Sequence, residues 1–142
     1  MAPTRWTRVR TVANWVNLST PLGLLVARVG GARVERADRG LHLAGGYRFG
    51  FPVAGAFTIG SVVLTRRDVG WLRDRPVLLR HEDRHVTQYA VLLGTPLLPL
   101  YVLAAGVSWL VARDHSSYNP FERLAGLDDG GYPSPSPRWR RR

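Results

Sequence analysis

The 142-residue chain reads as one domain of the α+β class. Three observations carry that reading. Hydrophobic residues make up 45% and charged residues 21%, the balance of a folded domain and not of a disordered chain. Strand-forming stretches gather between residues 40 and 65. Helix signals dominate from residue 76 onward. The expected architecture is a small β-hairpin or sheet beside one long helix, then an apolar helical hairpin, then a short helix bearing Glu122. Residues 1–127 are expected to form the domain and residues 128–142 a disordered tail.

Each element has a local reason. At the N-terminus Arg5, Arg8 and Arg10 surround Trp6. Residues 11–27 carry no charge, but Asn14, Asn17, Ser19, Thr20 and Pro21 interrupt them and no convincing cleavage site follows. No signal peptide is expected, and the location expected is cytoplasmic, with a membrane surface as a candidate contact. Leu41 and Leu43, then Tyr47 and Phe49, flank Gly45-Gly46, a hairpin pattern. Residues 57–65 (FTIGSVVLT) are rich in β-formers and bounded by Gly55 and by Arg66-Arg67-Asp68, so they read as a strand. Asp74 and Pro76 signal a helix over residues 76–93.

The longest uncharged run is residues 86–112. It is long enough to span a bilayer, but Gly94-Thr95-Pro96 divides it and places a second apolar helix at residues 99–111. Each half alone is too short to span, and Arg84 and Arg113 flank the run equally. A buried or interfacial hairpin and a membrane span both remain open. Asn119 and Pro120 then fit the cap and first turn of the helix carrying Glu122.

Composition excludes several classes of chemistry. There is no Cys, so disulfide scaffolds, thiolate metal sites and Cys nucleophiles are ruled out. Any metal must use His and carboxylate. The formal charge is +10, and every basic residue is Arg. Four of those ten excess charges belong to Arg138, Arg140, Arg141 and Arg142 in the tail. Trp6 and Trp139 among arginines offer stacking and phosphate contacts, yet no helix-turn-helix, ribonucleoprotein or zinc-finger pattern accompanies them. A nucleic-acid partner therefore ranks lowest.

The chemistry sits in His81-Glu82-Asp83-Arg84-His85, an H-E-x-x-H pattern on the expected helix. Residues four apart project from one helix face, so both imidazoles can share a metal, and Zn²⁺ accepts imidazole nitrogen readily. Glu82 can reach a metal-activated water as general base without binding the metal. With four His and three Glu in the chain, chance gives this pattern in only about two chains in a thousand. The plain alternative is a solvated helix face with two ordinary histidines. A catalytic zinc site usually has a third protein ligand. Downstream candidates are Asp114, His115, Glu122, Asp128 and Asp129. Glu122 is favoured and His115 second, although Glu122 also reads as a first-turn acid on a helix dipole. His115 and Tyr118 are candidate oxyanion stabilisers. Gln88 shares the face of His81, where it can hold a ligand or line the cleft.

These residues carry a resemblance. The run Ala56-Phe57-Thr58-Ile59-Gly60, followed by Leu78-Leu79-Arg80-His81-Glu82-Asp83-Arg84-His85-Val86-Thr87-Gln88, resembles the minimal zincin-like domain associated with contractile injection systems. Residues 119–125 are similar to the third-ligand helix of Glu-zincins, and the resemblance spans about residues 41–127. It implies that His81, His85 and Glu122 bind Zn²⁺ and that Glu82 is the catalytic base. It also implies that the strand at residues 57–65 lies beside the cleft and pairs with an extended peptide. Relatives often place an Asp four residues after the Glu ligand to support the first His; here that position is Gly126, with Asp128 as the substitute. The expected function is a zinc-dependent metallopeptidase acting on a peptide or protein. The alternatives are a non-catalytic, membrane-associated protein of the same fold and a basic nucleic-acid binder.

Overall fold

Strand β4 (Val62–Thr65) stands at the centre of the fold with every residue buried. The computed structural model describes residues 3–52 and 54–132. Among them the order is α1 (Arg5–Val16), α2 (Ser19–Val29), β1 (Arg33–Arg36), a 3-10 turn, β2 (His42–Gly45), β3 (Phe57–Ile59), β4, α3 (Val69–Arg73), α4 (Pro76–Val91), α5 (Leu97–Ala112) and α6 (Pro120–Ala125). The class is α+β. The sheet runs β1-β2-β4-β3, with β2 parallel to β4 and the other two pairs antiparallel.

Helices cover both faces of this sheet. Val62 and Leu64 join Ala44, Ala27, Tyr89 and Leu97 in one apolar cluster. Val63 points the other way, into a cluster with Leu43, Val69 and Leu72. The alternation follows from the two-residue period of a strand. Helix α4 serves both clusters, with Leu78 and Leu79 near its start and Tyr89 near its end.

The hairpin expected at Gly45-Gly46 is absent. Strand β2 already has β1 on one side and β4 on the other. The chain instead runs on past Gly45, and the Gly46 and Tyr47 N–H groups donate to the Arg67 and Thr65 carbonyls at 2.7 and 3.0 Å. With those groups satisfied along β4, no partner remains for a return strand.

The single strand expected at residues 57–65 is two strands. Ile59 pairs with Val62, so Gly60-Ser61 is a two-residue hairpin turn. Gly60 has φ +62°, and a Cβ there would fall 2.3 Å from the Thr20 nitrogen and 2.4 Å from the Ser19 carbonyl carbon. Both neighbours are main chain at the start of α2 and cannot swing away. Gly60→Ala is therefore expected to lower stability by roughly 3 kcal/mol, read as a lower urea midpoint at unchanged slope.

Helices α1 and α2 were not expected: the buried stripe of α1 is polar, and α2 buries only the small residues Ser19, Thr20, Gly23 and Ala27. Arg10 Nη1 donates to the Asp83 carbonyl at 3.1 Å and to Thr87 Oγ1 at 3.0 Å. Asn14 Nδ2 donates to the Val86 carbonyl at 3.0 Å, and Asn17 Nδ2 to the Tyr89 carbonyl at 3.2 Å. These three side chains, spaced four and three residues apart, fasten α1 along α4. An apolar periodicity cannot reveal such a helix.

The later elements stand where expected. Pro76 occupies the first turn of α4, and the break at residues 92–96 separates it from α5. Asn119 caps α6 by accepting from the Phe121 N–H at 3.0 Å. No described helix is long and apolar enough to cross a membrane, which overturns the spanning reading of residues 86–112. A buried hairpin is also overturned for α5, since Val102, Leu103 and Trp109 are exposed. Residues 128–132, expected in the tail, form a turn in which the Tyr132 N–H donates to the Leu127 carbonyl at 2.9 Å. The rest of the expected tail, residues 133–142, lies outside the described residues.

Candidate metal centre

One turn of α4 brings His81 Nε2 and His85 Nε2 to 3.2 Å from each other. The first turn of α6 carries Glu122 Oε2 to 3.0 Å from His81 Nε2 and 3.4 Å from His85 Nε2. A tetrahedral zinc with bonds of ~2.0–2.1 Å separates its ligand atoms by ~3.3 Å, so the triangle has the required size. All three residues are buried. Among the described residues this His-His-Glu group is the one able to hold a metal ion.

Hydrogen bonds on the far side of each ring determine which nitrogen faces inward. His81 Nδ1 lies 2.9 Å from the Gly126 carbonyl. A carbonyl only accepts, so this nitrogen carries the proton. His85 Nδ1 lies 2.9 Å from Gln88 Oε1, and Gln88 Nε2 donates to the Phe121 carbonyl at 2.8 Å. The amide orientation is thus set by a backbone acceptor, and His85 Nδ1 is also the protonated nitrogen. In neutral rings both Nε2 atoms present lone pairs to the centre. Gln88→Ala is expected to weaken metal affinity about 10–100-fold, measured by competition with a chromophoric chelator.

Glu122 completes a set of three acceptors with no donor among them. Its Oε1 accepts from the Tyr101 hydroxyl, while buried Oε2 has no hydrogen-bond partner. Burial raises the Glu122 carboxyl, but the adjoining imidazoles and Tyr101 outweigh it and hold the group well below the usual carboxylate range. Burial likewise opposes charge on His85, yet Glu122 and Glu82 beside it leave its pKa raised. Three buried acceptors repel one another unless a proton or a cation lies between them; the shifts of Glu122 and His85 are those of a shared proton, whose place a metal ion would take.

Glu82 adjoins this group without belonging to it. Its Oε2 accepts from Thr58 Oγ1 on β3 at 2.7 Å. Burial pushes its carboxyl up, against the pull of His85, Thr58 and His81. That environment suits a group that must gain and lose a proton. The two intervening residues of the motif fasten the helix. Asp83 pairs with Arg10 and, at 2.9 Å, with Arg39. Arg84 donates to the Ala125 carbonyl and, at 2.6 Å, to Asp129.

Gly126 owes its place to its backbone conformation, with Arg84 as a lesser neighbour. Gly126 has φ +92°, and a Cβ there would meet Arg84 Nη1 at 2.7 Å. The support for His81 expected from an Asp at this position comes from the Gly126 main-chain carbonyl. Asp128 is exposed and does not take that role.

The other candidates stand apart from the metal group. Asp114 accepts from Ser116 and Ser117 within its own loop. Asp129 is engaged by Arg84. The Tyr118 ring lies under the Arg123 guanidinium at 4.7 Å. His115 is exposed, and its ring centroid lies 5.5 Å from that of Tyr132, itself 5.7 Å from the His81 ring. Tyr101, Thr58 and Tyr132 escaped sequence reasoning. Only Thr58 had a local signal, its place in the AFTxG-like run.

Compared with protein-family models, curated proteins and solved structures, the chain matches none of them. The fold and site define an α+β protein with a buried His-His-Glu group able to hold a metal ion.

Proposed function

We propose that this chain is a zinc-dependent peptidase on a minimal zincin-like scaffold. The observation that carries the reading is the convergence of His81 Nε2, His85 Nε2 and Glu122 Oε2 beside Glu82. Imidazole and carboxylate donors at tetrahedral spacing, in a chain without Cys, suit zinc. Bound there, zinc supplies Lewis acidity and lowers the pKa of a water toward ~7. Glu82 is the proton acceptor and then the donor to the leaving nitrogen. Thr58 donates to its Oε2 and so holds the carboxylate in place.

Substrate placement follows from β3. It ends the sheet order, so among the described residues one of its edges has no strand partner. A peptide added along that edge passes close to Glu82, because Thr58 on the same strand touches it. Tyr132 is better placed than His115 to donate to a developing oxyanion. Burial and the charges of Glu122 and Glu82 keep its phenol protonated.

The test is metal content together with cleavage of an unbiased peptide mixture, read by mass spectrometry. About one zinc per chain is expected, with new termini that vanish on chelation and return with zinc. A metal-free protein, or cleavage indifferent to chelation, overturns the proposal.

A further inference from the structure

Helix α1 of this protein is inside out, and helix α5 exposes much of its apolar surface while burying Leu97 and Ala112 beside Ser108. Helix α1 buries Thr7, Arg10 and Asn14, all polar. It exposes Trp6, Val9, Val12, Trp15 and Val16. Helix α5 turns its polar side chains inward: the Tyr101 hydroxyl donates to Glu122, and Ser108 Oγ accepts from the Tyr118 N–H at 2.8 Å. Its outward residues are Leu100, Val102, Leu103, Val107 and Trp109, with Val102 66% and Leu103 67% exposed. A surface helix in water shows the reverse arrangement. Apolar exposure on this scale marks a face that something less polar than water covers.

Charge decides what covers it. Residues 3–34 and 86–113 contain no Asp or Glu, while Arg5, Arg8, Arg28 and Arg113 are exposed there. A second copy would set these arginines against their own kind across a two-fold interface. An anionic lipid surface complements them. The exposed indoles of Trp6, Trp15 and Trp109 suit the headgroup level, where one end of the ring is wet and the other apolar. The 12 residues of α1 rise about 18 Å, well short of the ~30 Å hydrocarbon core, so this helix is suited to lie along an interface and is too short to cross one.

We propose that this protein binds the surface of anionic bilayers through the exposed apolar face of α1, with Arg5 and Arg8 against the headgroups. That face does not use the metal group, so this proposal stands or falls separately from the peptidase reading.

The experiment is flotation of the full chain with phosphatidylcholine vesicles, with and without phosphatidylglycerol, at low and high salt. The protein is expected to float with the anionic vesicles at low salt, with a blue shift of tryptophan emission, and to bind less at high salt. The double variant Val9→Glu/Val12→Glu is expected to bind at least about tenfold more weakly, with an unchanged circular dichroism spectrum. Arg5→Gln and Arg8→Gln, which leave the apolar faces intact, are each expected to weaken anionic binding about fivefold. The proposal is overturned if the protein stays in the bottom fraction with anionic vesicles. Undiminished binding by Val9→Glu/Val12→Glu also overturns it, as does a lipid-free dimer that this variant splits into monomers.

Discussion

Glu82→Gln is expected to abolish peptide hydrolysis while leaving zinc in place. Glu82 is not one of the three converging ligands, so the metal affinity should hold. The substitution keeps the shape of the side chain and an oxygen for the Thr58 hydroxyl, which now lies 2.7 Å from the carboxylate. What it removes is the ability to take a proton. A positioned general base contributes about 10²–10⁴ in rate, so kcat/KM should fall by roughly a thousandfold. Stability should hold or rise slightly, because a buried neutral amide is less costly than a buried carboxylate whose pKa burial already pushes up. The measurements are zinc by elemental analysis, kcat/KM on a cleaved peptide, and Tm. Turnover that survives, or zinc that is lost with Glu82, removes the residue from the role of base.

His81→Ala is expected to cost both metal and stability. If zinc binds as proposed, free zinc at a thousandfold over Kd should stabilise the wild-type fold by about 4 kcal/mol, which for a domain of this size would raise Tm by roughly 15 °C. The variant should bind only trace zinc and show almost none of that rise. It also loses the bond from His81 Nδ1 to the Gly126 carbonyl, a further loss of about 1 kcal/mol. A chelator separates the two parts, since it removes the zinc contribution from the wild type but leaves the hydrogen bond. A wild-type Tm indifferent to zinc would sink the idea that His81 is a ligand.

The parts of this molecule legible in its sequence follow local rules. Helix α4 announces itself through Pro76 and the four-residue spacing of His81 and His85, and the break at residues 92–96 through Gly94 and Pro96. Asn119 and Pro120 place the start of α6, and so place Glu122 in its first turn. Each of these depends on side chains within one helical turn.

The misread parts depend on partners far away along the chain. Helix α1 stayed hidden because Arg10, Asn14 and Asn17 face backbone and side-chain groups of α4 more than seventy residues on. Gly45-Gly46 looks like a turn until β1 and β4 take both sides of β2. Gly60 looks like one more residue of a strand until the start of α2 lies against it. Tyr101, which orients Glu122, sits in a run of apolar residues with nothing local to distinguish it.

The sequence by itself determined the ligand chemistry. Without Cys, a metal has only imidazole and carboxylate to meet, and a helix of 3.6 residues per turn must put His81 and His85 on one face. Tertiary structure alone decided which acid joins the two histidines in a group able to hold a metal ion, and the state of both rings. Glu122 was one acid among several until α6 packed on α4 and brought Oε2 within 3.4 Å of both imidazoles. The protonated nitrogen of each ring was likewise open until the Gly126 carbonyl and Gln88 took the Nδ1 side. Covalent spacing is local and survives in any conformation. Convergence of acceptors from separate helices exists only once the chain has buried them together.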